Sequence, residues 1–175
     1  MDFDVIVIGG GNAGLEASTA SARLGKKTAL ITFSKENIGE LSCNPSIGGV
    51  AKGTIVREID ALGGVMGILA DKAGIQFRTL NATKGPAVHS PRTQIDRKLY
   101  KKYSLELIQN YKNLTLIEDE VEDLIIEDNS IIKGVILSNN KKIYANKVIL
   151  TTGTFLNGVI FVGFDSYEAG RINEK

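Results

Sequence analysis

The residues best suited to chemistry form a glycine ladder, Gly9-Gly10-Gly11-Asn12-Ala13-Gly14. In the spacing Gly9-x-Gly11-x-x-Gly14, the first glycine allows a tight turn and the second lets backbone approach a pyrophosphate. The third lets a helix pack closely on a strand. A helix opening near Asn12 would turn free N–H groups and a partial positive charge toward the phosphates. Cys43 is the second candidate. It lies in a polar stretch bounded by Pro45 and Gly48-Gly49, where a thiolate could act as a nucleophile. A lone cysteine is more often a small hydrophobe. Lys84 and Arg92, in loop-like positions, could hold phosphates, whereas Arg97, Lys98, Lys101 and Lys102 read as the solvated face of a helix. His89 reads as a loop hydrogen-bonding residue. The acidic group Glu118, Asp119, Glu120, Glu122 and Asp123 reads as exposed positions around a strand, not as a catalytic pair. Gly48–Thr54 holds the residue types of a triphosphate-binding loop in the wrong order.

The elements around the ladder decide what it means. Val5–Ile8 is a continuous β-branched run, as in a strand buried on both faces of a parallel sheet. It turns directly into an Ala- and Leu-rich stretch through Leu24, which Gly25 ends, and Thr28–Thr32 supplies a second strand. This is a βαβ unit. Residues 33–53 read as irregular, Lys52–Leu62 and Val65–Ala73 as short helices, and Ile75–Leu80 as a short strand. Ser90-Pro91 is expected to cap the longest helix, with Ile95, Leu99, Tyr103 and Leu107 along its face. Leu114–Ile117, Val121–Glu127, Ile131–Leu137, Lys142–Tyr144 and Lys147–Thr152 read as strands, and the pattern fades after Gly163.

With 175 residues, 23% charged and 43% apolar, the chain can bury a hydrophobic core as one domain. Residues 1–163 are assigned to that domain and 164–175 to a polar carboxy-terminal end. The net charge of +1 leaves no global basic field, so any nucleic-acid contact must be a local patch. One cysteine and one histidine exclude an internal disulfide and give no basis for a metal site. No run is long enough to span a membrane, and a cytoplasmic location is expected.

The later chain bears on the choice of dinucleotide. A long helix, a small antiparallel cluster and a buried strand ending Thr151-Thr152-Gly153-Thr154 look similar to the layout of two-dinucleotide-domain flavoproteins, in which a threonine–glycine turn returns near FAD. The expected fold is α/β: a Rossmann-like FAD-binding domain of that type, with a small antiparallel β insertion, truncated. A ribose-binding acid is expected about 20 residues beyond the turn. Thr32-Phe33-Ser34-Lys35 occupies that place and Glu36 is slightly late, so Ser34 or backbone is expected to substitute.

Several blocks go further: Gly9–Ala17, Ser42–Gly49, Arg57–Gly64, Gly74–Arg78, Leu80–Val88 and Gly153–Gly158. In sequence and order they resemble the MnmG (GidA) family of tRNA wobble-uridine modification enzymes. The resemblance spans about residue 4 to residue 163. It implies FAD bound noncovalently by Gly9, Gly10, Gly11, Asn12, Ala13 and Gly14, with Val121 contacting the cofactor through backbone. It implies NADH as reductant and methylenetetrahydrofolate as one-carbon donor. The modification, with glycine or ammonium, is at C5 of the wobble uridine. Cys43 would add to C6 of the uridine; Lys84 and Arg92, singled out by charge and loop-like position, are the candidates to contact tRNA phosphates. A partner GTPase of the MnmE type and a homodimer belong to the complete enzyme. The family turn usually has His where Asn12 stands. Because the family's proteins are much longer, the chain is expected to be inactive alone. The alternatives are a catalytically inactive FAD-binding remnant and a FAD-dependent oxidoreductase acting on a small metabolite.

Overall fold

The computed structural model describes residues 1–41, 44–128, 130–153 and 156–170. Strand β1 (Phe3–Ile8), helix α1 (Asn12–Arg23) and strand β2 (Thr28–Thr32) form the expected βαβ unit. β1 and β2 pair in parallel from Val5↔Thr28 to Ile8↔Ile31. Every residue of β2 is buried, the terminal Thr28 and Thr32 included, which explains the continuous apolar run Ala29-Leu30-Ile31 between them: a strand covered on both faces has no water-facing side to alternate toward.

Next come β3 (Ser46–Gly48), α2 (Val50–Ala61), α3 (Met66–Ala73), β4 (Gly74–Leu80), β5 (Ser90–Ile95) and α4 (Arg97–Gln109). β6 (Leu114–Glu118), β7 (Val121–Glu127), β8 (Ile131–Leu137) and β9 (Lys142–Leu150) follow. β10 (Val159–Val162) and β11 (Asp165–Glu168) make a separate hairpin, so strand pairing continues past Gly163.

The main sheet runs β6-β2-β1-β9-β8-β7. Its first four strands are parallel and β9-β8-β7 is an antiparallel meander. This is a Rossmann-like α/β fold with a small antiparallel part. One strand joins the two: Lys142–Tyr144 of β9 pairs with β8, and Ala145–Leu150 pairs with β1. The two short strands expected at 142–144 and 147–152 are therefore one. Neighbouring residues of β1 and β2 split between two cores. Val7 and Leu30 pack with Leu15, Leu69, Tyr100 and Ile108 on the helical side. Ile6, Ile8, Ala29 and Ile31 pack with Val135, Leu137, Ile143 and Ala145 of the meander on the other.

A second sheet, in the order β3-β5-β4, is wholly antiparallel. It corrects two expectations. Part of the stretch 33–53 is strand, and Ser90-Pro91 does not open a helix. The Ser90 hydroxyl bonds Gly49 O at 2.5 Å, and residues 90–95 are held between β3 and β4. Asp96 caps α4 instead, accepting from Lys98 N at 2.9 Å and Leu99 N at 3.0 Å. Its buried face is Tyr100, Ser104 and Ile108, one residue on from the expected Leu99, Tyr103 and Leu107. α4, at 13 residues, is still the longest helix among the described residues.

Candidate functional site

The crevice lies at the carboxy-terminal end of β1, where the chain leaves for β2 on one side and returns as β9 on the other. In open α/β sheets this is the place where ligands bind. Gly9 takes φ +105, a conformation that side chains rarely tolerate, and a Cβ there would meet Thr151 O at 2.5 Å. A Cβ on Gly14 would overlap the carbonyl oxygen of Gly9, so only glycine lets α1 approach β1 this closely. Thr151 seals the turn by donating from Oγ1 to Ile8 O at 2.7 Å and Gly9 O at 3.1 Å. The expected return of the threonine–glycine segment is thus seen at Thr151; Thr154 lies outside the described residues.

Gly11 differs from its neighbours. A Cβ there would have no atom within 4 Å. It faces open space at the N-terminus of α1, which has neither a side-chain cap nor an acidic residue in its first turn. Unsatisfied first-turn N–H groups beside an open cradle suit a bound phosphate. The residues present therefore fit a dinucleotide pyrophosphate, with Gly10 buried behind it and Ala13 exposed at its rim.

Asn12 is braced from behind. The Tyr100 hydroxyl donates to Asn12 Oδ1 at 3.1 Å, which leaves the amide hydrogens on Nδ2 for another acceptor. Tyr100 is fully buried, and burial, reinforced by the charge of Glu16, pushes its phenol well above the usual range. It is a neutral donor at any ordinary pH. Glu16 reaches from α1 to the next helix. Its Oε1 accepts from Val65 N at 2.9 Å and Met66 N at 2.7 Å, capping α3 with a carboxylate. Sequence reasoning missed the roles of Tyr100 and Glu16. Glu16 stands in the quoted Gly9–Ala17 block, but its partner lies 49 residues away.

At the end of β2, Ser34 Oγ accepts from Glu36 N at 3.1 Å, and the Glu36 side chain is exposed. Beside them, Glu118 accepts from Lys35 N at 3.0 Å, and its carboxyl is held below its usual value chiefly by that backbone bond. Asp119 is likewise lowered, first by the Ser138 hydroxyl at 2.6 Å. Both carboxylates thus accept hydrogen bonds from the protein itself. Asp119 N also donates to Thr32 O, so Val121, two residues on, starts the meander at the crevice end of the sheet. The side chain of Val121 is half-buried against the meander core.

Cys43 lies outside the described residues, as does Ser42. The chain that follows it is held by Lys52, whose Nζ donates to Ser46 O at 3.0 Å and whose pKa is lowered by burial. Lys84 is exposed in a turn, as expected, and its carbonyl is 3.0 Å from His89 Nε2, so His89 is a loop hydrogen-bonding residue. Arg92, expected in a loop, is in mid-strand on β5, because residues 90–95 pair on both sides. Lys101 and Lys102 are engaged by Glu40 at 2.6 Å and Glu106 at 3.8 Å. No group of potential metal ligands occurs among the described residues, and no helix there is long and apolar enough to cross a membrane.

The chain matches the family described as "Glucose inhibited division protein A" over residues 4–175. It is similar to the tRNA uridine 5-carboxymethylaminomethyl modification enzyme MnmG of Sulfurihydrogenibium sp., at 55% identity over all of this chain and 28% of that protein. The MnmG of Aliarcobacter butzleri is 53% identical over 98% of this chain and 27% of its own length. The solved structure of Aquifex aeolicus GidA in its form I crystal superposes with a TM-score of 0.94 at 49% identity, covering 99% of this chain and 29% of that one. The chain thus spans a little over a quarter of the length of these relatives, and it belongs to the GidA family.

Proposed function

We propose that this chain is the FAD-binding portion of a flavoenzyme that modifies C5 of the wobble uridine in tRNA. The carrying observation is the turn Gly9–Gly14, with open space at Gly11 and an uncapped helix N-terminus beside it. The relatives' named activity, modification of tRNA uridine, supplies the substrate class.

In this reading the backbone N–H groups of Asn12, Ala13 and Gly14 hold the pyrophosphate. Asn12 Nδ2 offers a further donor, fixed in direction by Tyr100. The Val121 backbone lies at the same end of the sheet and is assigned to the cofactor. FAD, when bound, supplies reversible two-electron transfer, with NADH as the expected reductant and methylenetetrahydrofolate as the one-carbon donor. The Cys43 thiolate adds to C6 of the uridine, which raises nucleophilicity at C5. Lys84 and Arg92 hold tRNA phosphates. An MnmE-type GTPase, a homodimer and a cytoplasmic setting belong to the complete enzyme in this reading.

Titration of the purified chain with FAD, followed by flavin fluorescence, tests the cofactor. A saturable noncovalent change supports it, and a chain that never perturbs flavin fluorescence refutes it. In the longer enzyme, Cys43→Ser should keep the flavin and lose uridine modification, read by mass spectrometry of the wobble nucleoside. Modification at the parent rate would make Cys43 structural.

A further inference from the structure

On the β3-β5-β4 sheet two arginines stand directly opposite one another. Arg78 of β4 is the register partner of Arg92 of β5, and Gln76 is the partner of Gln94. Residues two apart on a strand share a face. With Leu80, these four side chains line one hollow of about 210 Å3. Like charges directly opposite in an antiparallel pair are unfavourable. Among the described residues, neither Arg78 nor Arg92 forms an ion pair with a carboxylate. Two guanidiniums held together without a carboxylate are a charge arrangement that an anion would complete.

The position is also informative. β3 continues both rows, with Gly48 opposite Arg92 and Ser46 opposite Gln94. Ser46 is three residues beyond Cys43, so the hollow's sheet begins at the segment that carries the candidate nucleophile. It is a different sheet from the one that ends in the dinucleotide turn.

We propose that the Arg78, Arg92, Gln76 and Gln94 hollow binds a phosphodiester of an RNA strand. The proposal rests on the tRNA-modifying reading above and deepens it: Arg78, Gln76 and Gln94 join Arg92 in one subsite. Guanidinium forks match the non-bridging phosphate oxygens, and the two carboxamides offer donors and acceptors to a 2′-hydroxyl or a base edge. A chain of net charge +1 needs such a local site, because it has no general positive field to hold RNA.

The test titrates a hairpin RNA with a uridine in its loop against the protein and its R78Q, R92Q and R78K variants over a range of salt, with FAD titrated in parallel. Each Gln variant should bind the RNA roughly tenfold more weakly, as expected for loss of a charged hydrogen bond. Each should also lower the slope of log affinity against log salt by about 0.7 to 0.9. R78K should keep most of the slope, and K142Q, on the other sheet, should change nothing. FAD affinity and melting temperature should be unaltered throughout. RNA affinity and slope of wild-type size in both Gln variants would overturn the proposal. So would a loss of FAD affinity without a loss of RNA affinity, since the anion would then be the cofactor's. A parent protein that binds no RNA at any salt would instead bring down the tRNA reading, and this site with it.

Discussion

The dinucleotide turn and the β3-β5-β4 sheet are built on opposite plans. The turn is braced from behind, with Gly9 N donating to Ile31 O at 2.8 Å, Gly39 N to Gly10 O at 2.9 Å and Thr151 closing the rear, while the first-turn N–H groups of α1 stay open in front. Of Gly9, Gly10, Gly11 and Gly14, only Gly11 faces open space. On the second sheet, β4 is mostly exposed, with Ile75 at 65% and Phe77 at 61%, and its paired arginines lack carboxylates. The first region is a finished mould for one small ligand. The second is a surface whose charges and apolar side chains await something larger. On the readings proposed above, the pyrophosphate site is a few open N–H groups set in tight local packing, whereas the RNA-binding face is a broader exposed surface.

The sharpest way to break this contrast is at the glycines. Gly14→Val forces a side chain into the Gly9 carbonyl and should cost more than about 3 kcal/mol, the scale of severe overpacking. Flavin binding and the cooperative urea transition should be lost together. Gly11→Val should abolish flavin binding with the urea midpoint nearly unchanged, because its side chain enters ligand space only. A Gly11→Val protein that binds FAD normally would mean the open space is not the cradle.

Glu16→Ala should rank next. It uncovers two N–H groups at the start of α3 and should destabilise by about 1–2 kcal/mol, the worth of a charged helix cap. Urea unfolding measures it. Glu16→Gln should recover part of the loss.

Tyr100→Phe removes one hydrogen bond and should cost about 1 kcal/mol at neutral pH. Its pH dependence is more telling. The folded-state pKa of Tyr100 is raised, so its contribution is fully present below the unfolded phenol value near 10. It is lost as pH rises above that value, because the unfolded chain releases the proton first. The parent protein should therefore lose stability faster than Tyr100→Phe above about pH 10. Parallel alkaline curves would show that Tyr100 ionises as easily when folded.

The smallest effect is expected at the rim. Lys35→Met should move the Glu118 carboxyl only part of the way back toward its ordinary value, seen by NMR titration. The main cause of the lowering is the Lys35 backbone N–H, which the substitution leaves in place. Melting should be indistinguishable from the parent, as for most exposed ion pairs.

The sequence by itself determined the βαβ unit, the glycine turn and the buried character of β1 and β2. Those features are local: a tight turn, a helix start and an unbroken apolar run each write their requirement into a few adjacent residues. The same holds for the family blocks, whose residues could be matched in order without a fold. The fate of Ser90-Pro91 was not local. Its pattern suits a helix start as well as a strand, and pairing with β3 and β4 decided between them. Nor could sequence align Arg78 with Arg92, join the two halves of β9, or bring Tyr100 to Asn12 across 88 positions. Each depends on register or on a distant partner, which chain-local preferences leave free. Only the packed tertiary structure sets them, because a strand's register and a buried hydroxyl's acceptor are chosen by what lies opposite in space.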